Sequence, residues 1–450
     1  MKQKKICIAI VFVCSFLSYI YAEKNPIIKE SVTATPANTF LNSIGANSAV
    51  YGRGENLAKT VECCQYIGIR WIRMDNANQA DIIKKLYKEG GIKVSCSVGS
   101  LNTNNNFNLQ EFISNVKLIA GTGALLAIEG CNEPNNWALK YDNQAGGSMK
   151  NTWIPVAKLQ RDLYKAVKED PILKNCPVWS LCENGAQFDN SGLQYLTIPN
   201  GAGTLMPDGT KYADYACCHN YFVHPNFPAV QNNQTWKSSN PSSDCPVDGL
   251  YGNYGLTWSK KFAGYSEAEL ETLPRVTTET GVTIGGEITE EIQGLMYMST
   301  YLSQYKRGWS YTAMYILRDR VDEDGNQTFG FYRPDYSPRP AAIYLHNLTT
   351  ILADDKTIES QGKLAYAITD QPETVHDLLL QKSNGKFELV VWGERFKGGS
   401  DNIKVNFNKT FKKIKIYNPI VGTEAVEILS NVRSVSLTMS NHPYVIEIEK

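Results

Sequence analysis

The chain has 450 residues, 42% of them hydrophobic and 20% charged, which is enough for a large core and more than one domain. Lys plus Arg and Asp plus Glu both number 45, and this zero net charge argues against nucleic-acid binding, which usually shows a basic excess. The same balance argues against a strongly charged substrate steered by the field of the whole molecule.

Residues 1–22 have the layout of a secretory signal peptide. Lys2, Lys4 and Lys5 precede a short apolar run, and Ala22 is a small residue where a cut would fall. The apolar run is short for a bilayer span, so we expect cleavage rather than a membrane anchor. We find no later stretch suited to crossing a membrane, and we expect a secreted or periplasmic protein.

The cysteines give no metal-binding pattern. Of the 11 cysteines, two lie in the signal segment, and the remaining nine form no regular framework and no CxxC pair. Two adjacent pairs, Cys63-Cys64 and Cys217-Cys218, sit in apolar stretches. We expect most cysteines to be buried as small apolar residues and expect no structural zinc; an exporting compartment would allow one or two disulfides.

Residues 41–354 alternate short apolar runs with amphipathic stretches, of which 153–169 is the clearest helix. Eight such strand–helix alternations predict an α/β fold of the (β/α)8 barrel type. Two long segments rich in Asn, Ser, Gly and Pro, 188–214 and 225–267, are predicted to decorate one end of that barrel. The candidate strands are Asn42–Ala46, Ile69–Met74, Ile92–Val98, Leu125–Glu129, Pro177–Leu181, Tyr215–His219, Arg275–Thr278 and Thr312–Leu317.

Residues 355–450 change to short alternating strands separated by turns, which predicts a C-terminal antiparallel β-sandwich. Residues 23–40 form an N-terminal segment that we expect to pack on this sandwich or cross over to it. The candidate strands are Val375–Lys382, Phe387–Trp392, Ile403–Phe407, Lys413–Tyr417, Val426–Leu429, Ser434–Thr438 and Tyr444–Glu449.

An Asn-Glu-Pro motif follows the fourth candidate strand, at the end of a barrel where catalytic groups sit. Glycoside cleavage needs a carboxylic acid that protonates the departing oxygen, and Glu133 is our candidate for it. Asn132 could hold the 2-hydroxyl of the sugar. Glu129 lies within the strand and is better read as a supporting partner. An ordinary Asn-Glu-Pro turn remains the alternative.

A Thr-Glu-Thr-Gly motif ends the seventh candidate strand. Retaining hydrolysis needs a second, ionised carboxylate about 5 Å from the first. Strands 4 and 7 of an eight-stranded barrel face each other across its mouth, so Glu279 could meet this requirement. Gly281 would let the following loop turn sharply. The alternative for Glu279 is a carboxylate that only caps a strand end.

Two further motifs could support this pair of carboxylates. After strand 6, His219 could orient a carboxylate or contact sugar, and the hydroxyl of Tyr221 could hydrogen-bond the nucleophile. In strand 2, Arg70 and Arg73 lie on opposite faces, so one of them points inward, and Arg73 is nearer the open end. An inward Arg would keep a nearby carboxylate charged. A structural His and a surface Arg are the alternatives.

In this order of motifs the chain resembles clan A of the glycoside hydrolases over residues 40–350. The resemblance implies that Glu133 is the acid/base and Glu279 the nucleophile, with Asn132, Arg73, His219 and Tyr221 in supporting roles. Clan members often place a Trp from strand 8 under the sugar. Here the strand offers two alternatives: Tyr315 in that position, or Arg318 in the mouth. Trp137 lies in a loop on the predicted open face, where it could stack on a sugar ring.

The sequence therefore predicts a retaining glycoside hydrolase that cleaves a β-linked oligo- or polysaccharide without a metal or organic cofactor. A transglycosylase with the same covalent intermediate and a non-catalytic carbohydrate-binding barrel remain alternatives. Product analysis at high acceptor concentration and a test for reducing-end release would separate them. The acidic turn 322–326 lacks the ligand spacing of a calcium loop and is read as a solvated turn. The sugar, the linkage, endo or exo action and the oligomeric state are not predicted.

Overall fold

The fold is described from a computed structural model that places residues 31–75, 77–134, 136–148, 152, 154–182, 211–223, 229–240, 274–325 and 327–449. The predicted signal segment and most of the two long loops, 188–214 and 225–267, lie outside the described residues. Within the part of the chain that is described, no helix has both the length and the apolar character needed to cross a membrane.

The chain enters through two short strands and a helix and then forms the barrel. The entry elements are β1 (Val32–Thr33), β2 (Thr35–Pro36) and α1 (Ala37–Ser43). In chain order the barrel region consists of β3 (Ile44–Asn47), α2 (Leu57–Ile67), β4 (Trp71–Asp75), α3 (Ala80–Gly90), β5 (Lys93–Gly99), α4 (Leu109–Ala120), β6 (Leu125–Cys131), β7 (Leu139–Tyr141), β8 (Gln144–Gly146), α5 (Ile154–Glu169), β9 (Val178–Trp179), β10 (Ala216–Cys218), α6 (Gln234–Ser238), β11 (Arg275–Thr280), α7 (Glu290–Lys306), β12 (Trp309–Met314) and α8 (Pro340–Ile351).

Eight parallel strands pair in the order β10-β11-β12-β3-β4-β5-β6-β9. A parallel bridge between Trp179 and Tyr215 brings β9 beside β10 and closes the ring. All eight strands overlap the segments predicted from the sequence, and the (β/α)8 barrel is confirmed. The eighth strand starts three residues earlier than predicted, at Trp309, and ends at Met314.

Local sequence signals fix where the barrel helices begin and end. The side chain of Asn56 accepts the backbone N–H of Lys59 at the start of α2, and Gly68 ends that helix with a φ of 75°. Asn108 caps α4 in the same way, by accepting the N–H of Glu111. Caps of this kind satisfy backbone N–H and C=O groups that a helix leaves unpaired at its ends.

The interior of the barrel is filled by side chains rather than left open. Trp71 and Trp179 meet edge to face at 5.6 Å, and Tyr311 packs on both. Bulky side chains fill the interior of the barrel, and the polar groups lie at the carboxyl ends of the strands.

After the barrel, an antiparallel domain follows, which confirms the predicted β-sandwich. Its strands are β13 (Lys363–Leu364), β14 (Tyr366–Ile368), β15 (Val375–Gln381), β16 (Phe387–Gly393), β17 (Asp401–Tyr417), β18 (Ala425–Met439) and β19 (Pro443–Ile448). They pair in the order β14-β17-β19-β16-β15-β2, and β18 lies along β17. The entry strands belong to these sheets, because β2 pairs with β15 and β1 with β13.

Two pairs of predicted strands turn out to be single long strands. The segments predicted as 403–407 and 413–417 form β17, and 426–429 and 434–438 form β18. The polar residues between them suggested turns. The structure instead has a register shift between Asn406 and Phe411 and a positive φ of 56° at Asn431. The irregularity bends the ladder without ending it, as a β-bulge does.

Candidate active site

Glu133 follows β6 at the carboxyl end of the barrel and is largely buried. Its φ of 42° is left-handed, which is uncommon for a residue with a side chain. The backbone N–H of Glu133 donates to the carbonyl of Cys182 at 2.7 Å, and its own carbonyl accepts the N–H groups of Asn136 and Trp137. This turn directs the carboxylate into the barrel mouth, where Oε2 accepts a hydrogen bond from Nδ2 of Asn136 at 3.1 Å.

Glu279 lies on β11, one residue before the end of the strand, and is also largely buried. Its Oε1 accepts Nη1 of Arg73 at 2.5 Å, and its Oε2 accepts the hydroxyl of Tyr221 at 2.9 Å. Burial, followed by the charge of Glu279, raises the pKa of Tyr221 well above its usual value, so this phenol stays a donor. Glu279 is therefore held from both sides.

The two carboxylates face each other across the mouth. Oxygen atoms of Glu133 and Glu279, together with a ring nitrogen of His219, lie within 4.8 Å of one another. Carboxyl groups about 5–5.5 Å apart are typical of retaining glycosidases, whereas inverting enzymes leave about 6.5–9.5 Å for a water molecule. The separation fits direct attack by one carboxylate.

Arg73 points from β4 into the barrel and is almost fully buried. It contacts Glu129 through Nε and Nη2, at 2.7–3.1 Å, and donates to Oδ1 of Asn132 at 2.8 Å. Burial lowers the pKa of Arg73, but the charges of Glu129 and Glu279 outweigh that effect and raise it. Arg70 lies outside the barrel, bound to the side chain of Asn42.

His219 and Asn132 are brought to the same place. Nδ1 of His219 lies 2.8 Å from Oε1 of Glu133, and Nε2 lies 3.1 Å from the hydroxyl of Thr278. The Nδ2 group of Asn132 donates to Ser100 at 3.0 Å, so this amide is fixed at the cavity wall. The structure thus gathers six of the eight sequence-predicted site residues around one point: Arg73, Asn132, Glu133, His219, Tyr221 and Glu279.

The other two predicted residues line the cavity above this point. The cavity has a volume of about 580 Å³ and includes Trp137, which is 51% exposed, and Tyr315, which follows β12. Tyr315 packs edge to face on Phe329 and lies 6.5 Å from the ring of Tyr221. These rings offer apolar faces to a ligand.

Charged residues that the sequence did not single out also line the cavity. Glu323 accepts hydrogen bonds from the hydroxyl of Tyr315 at 2.7 Å and from Arg320 at 2.8 Å, and Arg53 contacts it at 2.6 Å. The turn 322–326 was read as solvated, and for Glu323 that was wrong: its side chain is only 19% exposed. The partners of Glu323 come from two loops that are far apart in the sequence, so the spacing of residues along the chain does not predict that they meet.

Arg318 does not sit in the mouth. It donates to the carbonyl of Pro334 and stacks over the ring of Tyr336 at 4.8 Å. Arg320, two residues later, lines the cavity instead. The sequence places Arg320 just after strand 8, but it does not show which way the loop after that strand runs.

Glu133, His219 and Glu279 could in geometric terms offer three ligand atoms to a cation. Both oxygens of Glu279, however, already accept hydrogen bonds from Arg73 and Tyr221. A guanidinium at this distance opposes a second positive charge. The donor set fits organic acid–base chemistry better than a metal.

Among the described cysteines, Cys182 and Cys217 form a disulfide beside the site. Both sulfurs lie 3.2 Å from the hydroxyl of Thr278. Of the other described cysteines, Cys63, Cys64 and Cys96 are buried thiols and Cys176 is partly buried.

No protein-family model and no curated protein matches this sequence. Solved structures of glycoside hydrolases do match its fold. The family 39 glycoside hydrolase from the gut symbiont Bacteroides cellulosilyticus WH2 aligns over 92% of this chain and 82% of that chain, with 15% identity and a TM-score of 0.55. A glucosidase from Croceicoccus marinus aligns over 94% and 97%, with 10% identity and a TM-score of 0.57. The GH51 arabinofuranosidase from Xanthomonas axonopodis pv. citri aligns over 93% and 98%, with 10% identity and a TM-score of 0.54. At these identities the likeness shows a shared architecture, and it agrees with the resemblance read from the motifs.

Proposed function

We propose that this protein is a retaining glycoside hydrolase acting on a β-linked oligo- or polysaccharide. The observation that carries the proposal is the approach of the Glu133 and Glu279 carboxylates within 4.8 Å at the mouth of the barrel. That spacing suits a covalent glycosyl-enzyme intermediate. The shared fold of glycoside hydrolases supports the reaction class.

The partners of each carboxylate assign its role. Glu279 is bound by the cation of Arg73, which favours its ionised form, as a nucleophile requires. Glu133 is bound by Asn136 and His219 and has no cation from an Arg or Lys among its hydrogen-bond partners in the described residues. Glu133 can therefore hold a proton, as an acid requires.

In the first step, Glu133 gives its proton to the glycosidic oxygen while Oε2 or Oε1 of Glu279 attacks the anomeric carbon. The carbon–oxygen bond to the leaving group breaks, and a glycosyl ester of Glu279 forms. In the second step, Glu133, now a carboxylate, removes a proton from water, and the water oxygen displaces Glu279. Two inversions give net retention.

Replacing each carboxylate should give different products in the presence of azide. In Glu279→Ala, azide takes the place of the nucleophile on an activated aryl β-glycoside, and we expect an α-glycosyl azide by a single inversion. In Glu133→Ala, azide attacks the glycosyl-enzyme, and we expect a β-glycosyl azide. Product anomers would be read by NMR. Full activity of Glu279→Ala without azide would refute the nucleophile assignment.

The sugar itself is left to a screen of aryl glycosides and polysaccharides. The similar structures include a glucosidase and an arabinofuranosidase, so they do not agree on one sugar. A transglycosylase would reveal itself in the same screen through transfer products that outnumber hydrolysis products at high acceptor concentration.

We also propose that the protein acts outside the cytoplasm, in polysaccharide degradation. The Cys182–Cys217 disulfide supports an oxidising compartment, as does the signal-like pattern of residues 1–22. Mass spectrometry of the protein recovered from its native host would show whether residues 1–22 are removed. An intact N-terminus in a cytoplasmic fraction would contradict this proposal.

A further inference from the structure

A chain of buried polar groups connects Glu129 to the acid/base residue through the core of the barrel. The hydroxyl of Thr278 lies 3.1 Å from Oε1 of Glu129 and 3.1 Å from Nε2 of His219. Nδ1 of His219 lies 2.8 Å from Oε1 of Glu133. Glu129, Thr278 and His219 are 0% exposed, so bulk solvent does not contact these groups.

The hydrogen-bond direction along this chain follows from which atoms carry hydrogens. Glu129 is held by the guanidinium of Arg73 and accepts only. Thr278 has one hydroxyl hydrogen, which it donates to Glu129. The two sulfurs beside Thr278 belong to the Cys182–Cys217 disulfide and carry no hydrogen, so they cannot donate to it. The lone pairs of Thr278 therefore face Nε2 of His219, which must be the donor.

We propose that Thr278 is a positioning residue that fixes His219 as the tautomer protonated on Nε2, so that Nδ1 accepts the acidic proton of Glu133. This inference rests on the proposed function. The hydrogen bond to Nδ1 stabilises the protonated form of Glu133, which the first step requires. After it has given that proton to the leaving group, its carboxylate faces an acceptor nitrogen, which favours recovery of a proton from water. His219 keeps its Nε2 proton throughout.

The charges around His219 come from several strands and include the cation of Arg73 and the carboxylates of Glu129 and Glu279. Oε2 of Glu279 lies 3.6 Å from Nδ1 and by itself would favour an imidazolium. Arg73 opposes that charge, since it contacts both Glu279 and Glu129. Among the described residues, the charged and titratable groups around the Glu133–His219 pair include Arg73 on β4, Glu129 on β6, Tyr221 after β10 and Glu279 on β11, and Asp75 and Tyr315 line the same cavity.

Thr278→Val tests the proposal because it removes the hydroxyl and keeps the branched shape. Nε2 of His219 then loses its acceptor, and the tautomer protonated on Nδ1 can donate to the carboxylate of Glu133. That bond stabilises deprotonated Glu133. We expect the basic limb of the kcat/KM profile to move down by about one pH unit for a substrate with a poor leaving group.

Two variants of the same strand serve as controls. Thr278→Ser keeps the hydroxyl and should keep the wild-type pH profile. Thr280→Val removes another buried hydroxyl, which donates to the carbonyl of Asn220 and is outside the chain of polar groups. It should also leave the profile in place. A shift in Thr280→Val equal to that in Thr278→Val would mean that general loosening of the strand explains the result, and it would overturn the proposal.

The tautomer can be read without any enzymatic assay. The sequence has five histidines, so ¹⁵N-labelled histidine gives few signals, and His219→Gln identifies those of His219. In the wild type we expect the proton on Nε2, and in Thr278→Val on Nδ1. A wild-type His219 protonated on Nδ1 would overturn the inference even in an active glycosidase. The expected pattern in a protein without glycosidase activity would leave the tautomer assignment standing and refute the proposed function.

Discussion

Arg73 contacts two buried carboxylates at once, and this sharing controls the charge of the candidate site. Its Nη2 lies 2.7 Å from Glu129, and its Nη1 lies 2.5 Å from Glu279. Burial raises the pKa of Glu129, and Arg73 opposes that rise. Removal of the guanidinium would therefore leave Glu129 buried without a cation and would free Glu279 from one of its two hydrogen-bond donors.

Arg73→Met should lose both stability and turnover. Breaking a buried ion pair from one side costs about 3–5 kcal/mol, because the remaining charge stays buried without a partner. Loss of the contact to the nucleophile should lower kcat by roughly 100-fold or more. Chemical denaturation and steady-state kinetics on an aryl glycoside would measure the two effects.

The double variant Arg73→Met with Glu129→Gln separates the two roles. It removes both charges of the core pair, so much of the stability should return. Activity should stay low, because Glu279 still lacks its cation. Recovery of turnover in the double variant would show that Arg73 acts only through Glu129.

The sequence predicted the site residues that lie at the ends of barrel strands, but it did not predict the site residues that lie on loops. Glu133 and Glu279 follow from strand counting, since carboxyl ends of parallel strands share one edge. Thr278 was visible in its motif only as a neighbour of Glu279. Its contact with His219 depends on which way β11 faces in the closed barrel. Arg53 and Glu323 meet across two loops, and their pairing depends on loop paths that residue patterns do not encode.

At the scale of elements, β9 and β10 are the weak point of the barrel. They have two and three residues, and a single bridge between Trp179 and Tyr215 joins them. The disulfide between Cys182 and Cys217 connects the same two strand ends. A covalent link thus reinforces the place where the two shortest strands of the ring meet.

The double variant Cys182→Ala with Cys217→Ala should lower the free energy of unfolding by about 4 kcal/mol, from the loop-closure entropy of a 35-residue separation. Thermal melting with and without reductant would measure it, and reduced wild type should approach the variant. Cys96→Ala is the matched control, because Cys96 is buried and free. A wild-type melting temperature that does not respond to reductant under unfolding conditions would contradict the prediction.

The periodicity of hydrophobic residues was enough for the number and order of barrel strands, because each is buried on both faces. It was not enough in the C-terminal domain. There β17 is 17 residues long, and its polar midpoint resembles a turn. The register shift after Asn406 keeps the ladder going through that midpoint. A bulge and a turn use similar residues, and the partner strand decides between them.

At the scale of the whole molecule, a buried carboxylate ties the two domains together. Glu394, after β16, accepts the backbone N–H groups of Thr235 and Trp236 from α6 and the hydroxyls of Thr235 and Ser303. Burial raises the pKa of Glu394, and these hydrogen bonds oppose the rise. Nearby, His376 on β15 stacks on Trp236 at 4.0 Å, and its Nε2 lies 2.9 Å from Oδ1 of Asn233. The docking of the domains thus depends on titratable groups.

The C-terminal domain carries two titratable groups whose contributions to stability depend on pH in opposite directions. Burial raises the pKa of Glu388 to about 7, so its contribution to stability is lost as the pH rises from about 4.5 to 7. Burial lowers the pKa of His442 to about 4, and that contribution is lost as the pH falls below 6.5. Because these effects partly cancel in the free energy of unfolding, the contribution of one group is best measured as the difference between the wild type and a variant that lacks that group.

His376→Gln should flatten the loss of stability in acid. Burial, together with Arg307 and Lys306, lowers the pKa of His376 from 6.5 to about 3, so the unfolded chain binds a proton that the folded chain refuses. The contribution of neutral His376 is full above pH 6.5 and falls as the pH drops toward 3, by about 2 kcal/mol at pH 5. Gln keeps a donor for Asn233 and does not titrate.

Urea unfolding at pH 7 and pH 5 should therefore show a smaller stability loss in the variant, by about 2 kcal/mol. Equal losses in both proteins would mean that His376 is protonated in the folded interface.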